Sequence, residues 1–126
     1  MIKQEIISVV VRIDRKDEVA DFLIKIARND SDLKLRADAL TRIGRMGCRS
    51  CLQAINDIIN DNRTDASLQM HAVRALSRSE ESEAVTMLIN IARNHPSMDV
   101  RREVVRRLRY SKDERAQEFL KELISR

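Results

Sequence analysis

The chain has 126 residues, of which 43% are apolar and 35% are charged, a composition typical of one soluble globular domain. Two glycines, one proline, two phenylalanines, one tyrosine and no tryptophan leave too few turn-forming and aromatic residues for a β-sandwich or barrel. The formal net charge of +4 is too small to indicate nucleic-acid binding by itself. These totals therefore predict an all-helical protein and exclude no partner class completely.

Membrane insertion and export are not expected. The longest apolar run, Ile6 to Val11, contains Ser8 and is too short to span a bilayer. No charged segment followed by a small-residue cleavage site stands at the start, so we predict no export signal. Two cysteines do not make a disulfide scaffold, and we therefore predict a cytoplasmic location.

A short segment recurs along the chain. Leu23–Asn29 reappears 65 positions later as Leu88–Asn94, with six of seven residues identical. Similar segments lie between the two copies, at 55–61, and after them, at 120–124. The repeat period is therefore about 32 or 33 residues, and such a period is the signature of a repeat architecture.

Two kinds of helix alternate within this period. Each carries apolar residues at helical spacing, which predicts one apolar stripe on about three turns. Stripes of the helices that we call second-type begin at Ile2, Leu35, Leu68 and Val100. Stripes of the first-type helices begin at Val19, Cys51, Ala84 and Ala116. Because short helices with one stripe are unstable alone, the eight predicted helices must stack on one another.

Helix starts and turns agree with this periodicity. Polar residues that can accept hydrogen bonds from free N–H groups stand at the predicted starts, namely Asp32, Thr64 or Asp65, Asp99, and the pair Ser111 and Glu114. Gly44 and Gly47 are both predicted in the turn after the third helix, and Pro96 in the loop before the seventh.

The second-type helices resemble a known repeat family. Val100–Leu108 and Leu35–Gly44 are similar to the second helix of HEAT-like repeats, in the short form found in bacterial HEAT-repeat and phycobilisome-lyase-like proteins. Leu68–Leu76 matches with Gln69 where arginine is usual, and the resemblance covers roughly residues 17–126. It implies an all-α solenoid of four helix pairs. We expect a single domain over 1–126, with pairs at about 1–31, 32–63, 64–96 and 97–126.

The resemblance also implies a structural role for two arginines. In the family, the arginine after the first apolar residue turns inward and bonds an aspartate or backbone carbonyls. Arg36 and Arg101 occupy that position. A buried guanidinium must be paired to avoid a large desolvation cost, so we expect both to join neighbouring helices.

Family resemblance places the second-type helices on the concave surface, where a partner would bind. Residues predicted to face that surface are Arg45, Met70, His71, Arg74, Arg78, Arg102, Arg106 and Tyr110. One interpretation is a solvated face with surface ion pairs such as Glu103 with Arg106. The other is a binding groove for a protein or acidic peptide.

Nucleic acid is an alternative partner for the same arginines. Arginine pairs well with phosphate through its two-pronged guanidinium. Only Tyr110 could stack on a base, however, and the tryptophan used by HEAT-like DNA glycosylases is missing. We therefore rank nucleic-acid binding below protein binding.

Enzymatic activity is not predicted. Cys48 and Cys51 form a C-x-x-C at a helix start, but Cys51 takes a small core position, so we interpret it as a packed thiol and Cys48 as a turn residue. Neither His71 nor His95 lies at a spacing that would complete a zinc site. We expect no cofactor and no metal, and leave a redox role open. A second alternative is a subunit of a bilin lyase-type or other enzyme complex.

The first predicted helix is unusually apolar. Besides its stripe it carries Val9, Val11 and Ile13, which widen the apolar arc beyond what one neighbour would cover. This helix is therefore a candidate for self-association or for contact with further repeats.

Overall fold

The computed structural model describes residues 16–125, which contain seven α-helices and no strand. The helices are α1 Lys16–Asn29, α2 Leu33–Met46, α3 Arg49–Asn60, α4 Ala66–Ser77, α5 Ser82–Asn94, α6 Met98–Leu108 and α7 Glu114–Ile124. The prediction of an all-α solenoid is confirmed. The first of the eight predicted helices lies outside the described residues.

Two layers of helices form the stack. The first-type helices α1, α3, α5 and α7 pack on one another in chain order, and the second-type helices α2, α4 and α6 form the other layer. The core lies between the layers, where each stripe is buried; fully buried members include Leu23, Leu40, Ile55, Leu76 and Leu108. None of the described helices has the length and apolar content to cross a membrane.

The second-type helices begin at polar caps. Asp32 caps α2 and Asp65 caps α4, and each carboxylate accepts hydrogen bonds from backbone N–H groups in the first turn, as predicted. The prediction for α6 is wrong by two residues. Ser97 is its N-cap, with the hydroxyl accepting a bond of 3.3 Å from the N–H of Val100, and Asp99 lies in the first turn instead.

The cap of α7 also differs from the prediction. Asp113 is the N-cap, and its carboxylate accepts a bond of 2.8 Å from the N–H of Arg115. Ser111 lies two residues earlier, and its hydroxyl oxygen accepts a bond of 3.2 Å from the N–H of Asp113. The Ser111–Glu114 capping box therefore does not form, because the carboxylate nearer the helix takes the cap.

The two glycines have different roles. Gly47 ends α2 with φ of 64°, in the left-handed region, which explains the choice of glycine there. Gly44 lies inside α2, not in the turn as predicted. A Cβ on Gly44 would stand 2.7 Å from the carbonyl oxygen of Ala75, so glycine is needed for the close approach of α2 to α4.

One carbonyl near the end of α3 accepts two buried donors. The amide nitrogen of Gln69 donates to the carbonyl oxygen of Ile59 at 3.0 Å, and Nε2 of His95 donates to the same oxygen at 2.8 Å. Nδ1 of His95 accepts a bond from the N–H of Ser97 at 3.0 Å, which leaves the ring proton on Nε2. Ile59 thereby connects α3 to α4 and to the loop before α6.

Candidate interaction site

Five arginines on the second layer define the candidate site, which we call the arginine face. They are Arg45, Arg74, Arg78, Arg102 and Arg106. Arg74 is half-buried and the other four are exposed. Met70 and His71, predicted to belong to the same surface, are half-buried on α4.

A buried carboxylate organises the centre of this face. The side chain of Glu103 is only 1% exposed, although it is surrounded by three arginines. Its Oε1 accepts a bond from Nη1 of Arg106 at 2.6 Å, and its Oε2 accepts bonds from Nε of Arg74 at 3.4 Å and from Nε of Arg107 at 3.3 Å. Our interpretation of Glu103 and Arg106 as a solvated surface pair is therefore wrong for the carboxylate.

The arginines keep Glu103 charged. Burial alone raises the pKa of this carboxyl, because the charged form loses water. Hydrogen bonds from Arg107 and Arg74 and the positive charges of Arg74 and Arg106 outweigh burial, and the pKa of Glu103 lies below its ordinary value. At neutral pH the single negative charge of Glu103 is therefore paired with the positive charges of three arginines.

His71 experiences the same positive surroundings. Burial lowers the pKa of His71, and the charges of Arg78 and Arg74 lower it further, against weaker opposing effects of the Ala37 backbone and of Asp38. Nε2 of His71 lies 2.9 Å from Oγ1 of Thr41 on α2. The ring is therefore neutral at pH 7 and ties α4 to α2.

These contacts form a regular series along the second layer. Thr41 of α2 contacts His71 of α4, 30 residues later in the chain. Arg74 of α4 contacts Glu103 of α6, 29 residues later. Thr41 and Arg74 occupy equivalent positions of the repeat, and so do His71 and Glu103. We call this series the inner ladder.

Two shallow cavities flank α6 and share two arginines. The larger, about 420 Å³, lies along Arg101, Arg102, Arg106 and Arg109, with Val105 among its apolar contacts. The other, about 360 Å³, lies between α4 and α6, where Arg102 and Arg106 face Met70. Arg102 makes no hydrogen bond or ion pair with the described part of the chain, so its donors face solvent.

The remaining predicted site residues lie elsewhere. Tyr110 follows α6, is 80% exposed, and borders a separate cavity of about 710 Å³ together with Arg78 and Arg107. Arg45 is exposed near the end of α2 and borders none of the cavities named here. The structure thus groups Met70, His71, Arg74, Arg102 and Arg106, and it leaves Arg45 apart. Arg78 lies close enough to His71 to lower its pKa and also borders the cavity of Tyr110.

The two arginines expected to join helices differ from each other. Nε of Arg36 donates to the carbonyl of Ala27 at 2.8 Å, linking α2 to α1. Gln69 makes equivalent bonds from α4. Nε of Arg101 is buried, however, and has no hydrogen-bond partner among residues 16–125. Its structural role stays a prediction.

The two cysteines are joined to each other. Cys48 is the N-cap of α3, and its sulfur forms a disulfide with the fully buried Cys51. The interpretation as separate thiols is therefore wrong, and the bond weakens the argument from cysteine count for a reducing compartment. Within residues 16–125, no three His, Cys, Asp or Glu side chains are grouped to hold a metal ion.

Comparison with known families supports the repeat assignment. A family model described as HEAT repeats matches residues 20–97, which is 78 of 126 residues. That range runs from α1 through α5 and includes Arg36, His71 and Arg74, but it ends before Glu103. No curated protein is detectably similar to this sequence.

Proposed function

The chain belongs to the HEAT-repeat family, and from that premise we propose that it is a non-catalytic interaction module that binds an acidic segment of a partner protein on its arginine face. Repeat solenoids of this kind use extended surfaces for binding. The arginines of this face supply the positive charge and the paired N–H donors that bind carboxylates.

The observation that carries this proposal is the buried carboxylate of Glu103. It fixes the guanidinium groups of Arg74, Arg106 and Arg107, each through one of its five N–H donors. The remaining donors stay available, and the cluster retains an excess of positive charge. Holding arginines in place before binding reduces the entropy lost on binding, which favours affinity.

Neighbouring residues add contact area for such a segment. Arg102 lies beside the cluster with all donors free toward solvent, and Met70 supplies a flexible apolar surface between α4 and α6. A peptide along this cavity would place its carboxylates on Arg102 and Arg106 and an apolar side chain on Met70. Partner binding of this type is steered by charge and is weakened by salt.

Binding of a labelled acidic peptide, measured by fluorescence anisotropy, tests the proposal. We expect the double variant Arg78→Ala, Arg102→Ala to weaken binding about tenfold, since each exposed arginine contributes roughly 0.5–1 kcal/mol. Both side chains are exposed, so the variant should retain its fold. The matched control is Lys25→Ala, Arg49→Ala, which removes the same charge from α1 and α3.

The outcome is decisive when the two variants are compared. Weaker binding by the arginine-face variant with unchanged binding by the control supports the proposal. Equal loss in both variants would mean that net charge alone attracts the peptide. No binding by the wild type at low salt would reject the arginine face as a site for acidic segments.

Phosphate-backbone binding is the second candidate function. It is favoured by the four arginines that border the cavity of about 420 Å³ on α6. Tyr110, the expected stacking residue, borders a different cavity, which weakens this alternative. A DNA duplex titrated across a salt series separates the two functions, since a protein that contacts several phosphates loses affinity steeply with salt.

The third hypothesis, a subunit of a bilin lyase-type or other enzyme complex, has no support from a particular described residue. Such a role would place the chemistry on a partner subunit, and the arginine face would then be the docking surface. We retain the proposal that this chain is not itself an enzyme and that it acts in the cytoplasm. The cytoplasmic location can be tested by measuring whether thiols at cytoplasmic concentrations reduce the Cys48–Cys51 disulfide.

A further inference from the structure

One pair of side chains distinguishes α3 from the other first-type helices. Cys48 and Cys51 stand at the start of α3 and are joined by a disulfide. Residues at the equivalent positions are Glu81 and Ala84 in α5, and Asp113 and Ala116 in α7. The same kind of helix therefore forms without cysteine at these positions, and the disulfide is peculiar to α3.

Stability is a weak explanation for this disulfide. Its two cysteines lie three residues apart within one helical turn, so the bond joins no two helices. A disulfide stabilises a fold mainly by restricting the unfolded chain, and the restriction is weaker for short loops. Helix α7 begins without such a bond, because the carboxylate of Asp113 caps it. A chemical role explains the two sulfurs better than a structural one.

The two sulfurs differ in their access to solvent. Cys48 is half-buried in the turn that links α2 to α3, whereas Cys51 is 0% exposed. Cys51 packs in the core at the position that Ala84 and Ala116 fill in α5 and α7. An external thiol can therefore reach Cys48 in the folded chain, but it cannot reach Cys51.

Two hydrogen-bond donors face the sulfur of Cys48. The N–H of Cys51 donates to Cys48 Sγ at 3.0 Å, and the hydroxyl of Ser50 donates to it at 3.3 Å. This sulfur lies at the N-cap of α3, where aligned peptide dipoles favour negative charge. At the equivalent N-cap of α7, hydrogen bonds from the side chain and the backbone of Arg115 hold the pKa of Asp113 below its ordinary value. The position thus suits an anion, and a Cys48 thiolate would keep both donors.

We propose that Cys48 and Cys51 are a reversible thiol–disulfide exchange site, in which Cys48 is the sulfur that reacts with external thiols and disulfides. An accessible cysteine at a helix start and a buried cysteine three residues later have separate roles. Cys48 forms the bond to the co-reactant, and Cys51 displaces the co-reactant by restoring the internal disulfide. This activity is distinct from the binding of acidic segments proposed above.

Reduction of the site proceeds in two exchange steps. A thiolate of the reductant attacks Cys48 Sγ, and the bond between the two protein sulfurs breaks. Its electron pair passes to Cys51 Sγ, which takes a proton from water. A second thiolate of the reductant then attacks the reductant's sulfur in the mixed disulfide and releases Cys48 as a thiolate. Two electrons pass to the protein and the reductant leaves as a disulfide, so the co-reactant is a dithiol or a pair of monothiols such as glutathione.

Exchange with glutathione on the full chain tests the proposal. The wild type is equilibrated with reduced and oxidised glutathione at several ratios, and free thiols are alkylated and detected by mass spectrometry. We expect the protein to pass reversibly between the disulfide and the dithiol, while far-ultraviolet circular dichroism keeps its helical signal. A disulfide that resists reduced glutathione until the chain unfolds, or a helical signal that is lost on reduction, would overturn the proposal.

Single variants separate the roles of the two sulfurs. Cys51→Ala introduces the residue that α5 and α7 have at this position, and it should form a mixed disulfide with oxidised glutathione on Cys48. Cys48→Ser should react at least roughly a hundredfold more slowly, because Cys51 is inaccessible until the chain opens. The matched control, Cys48→Asp with Cys51→Ala, has the residues found at the start of α7 and should fold without reacting. Equal rates for the two single variants would contradict the assignment of Cys48 as the reacting sulfur.

Discussion

The two helix layers connect successive repeats with the same residue types at different depths. In the first-type layer, Arg28 reaches Asp57 at 3.1 Å and Arg93 reaches Glu122 at 3.2 Å, each 29 residues on. These side chains are 40% to 55% exposed. The second-type layer uses the same separation of 29 residues from Arg74 to Glu103, but the Glu103 side chain is 1% exposed.

Burial determines how much each of these ion pairs contributes to the free energy of folding. An exposed ion pair contributes little to folding, because water and salt compete with it. A buried carboxylate has lost its water, so its arginines must be present for the folded state to tolerate it. We therefore expect the second layer to respond strongly to changes at Glu103 and the first layer to respond weakly to changes in its pairs.

Removal of Glu103 should give the largest effect. Glu103→Ala leaves a void and brings Arg74, Arg106 and Arg107 together without their common anion, so we expect unfolding free energy to fall by about 3 kcal/mol. Glu122→Ala is the matched control in the first layer and should cost less than about 0.5 kcal/mol. Urea denaturation at neutral pH measures both, and equal losses would contradict the difference between the layers.

Acid should remove the contribution of Glu103 in a defined range. Because its folded pKa lies below the ordinary value of 4.5, its charge stabilises the protein above that pH, and the stabilisation is lost as pH falls through the folded pKa. We expect the stability difference between wild type and Glu103→Gln to be constant near neutrality and to shrink below about pH 4.5. Titration of His71 occurs in both proteins and cancels. A difference that does not change with pH would show that the charge of Glu103 is unimportant.

The first-layer pair Arg28–Asp57 should give the smallest effect. A double-mutant cycle with Arg28→Ala and Asp57→Ala should yield a coupling energy below about 0.5 kcal/mol, because both side chains are well exposed. Repeating the cycle in high salt should reduce the coupling further. A coupling as large as the cost of Glu103→Ala would mean that exposure does not distinguish the layers.

Repeat periodicity predicted the helices and the neighbours across repeats. Once Leu35, Leu68 and Val100 are aligned, residues such as Arg74 and Glu103 fall on adjacent helices at nearby positions. Periodicity did not predict that Glu103 is buried. The equivalent Asp38 and His71 are only half-buried, whereas the Glu103 side chain is 1% exposed and pairs with three arginines.

Local choices between similar residues were also beyond the sequence pattern. Ser97 and Asp99 lie two residues apart, and the sequence allows either to cap α6. In the structure Ser97, whose N–H bonds to Nδ1 of His95, is the cap. Cys48 and Cys51 were too few to suggest a disulfide framework, yet their spacing within one helical turn brings the sulfurs together. Both outcomes depend on backbone geometry that composition does not describe.

The carbonyl of Ile59 has a consequence for how the stack unfolds. This oxygen at the end of α3 accepts one bond from Gln69 of α4 and one from His95, the residue that follows α5. Separation of α3 from these elements would leave the buried ring of His95 without its acceptor. Repeat proteins can lose their units one at a time when the interfaces between them are weak. Because the shared acceptor links α3 to α4 and to the end of α5, we expect these three helices to unfold together.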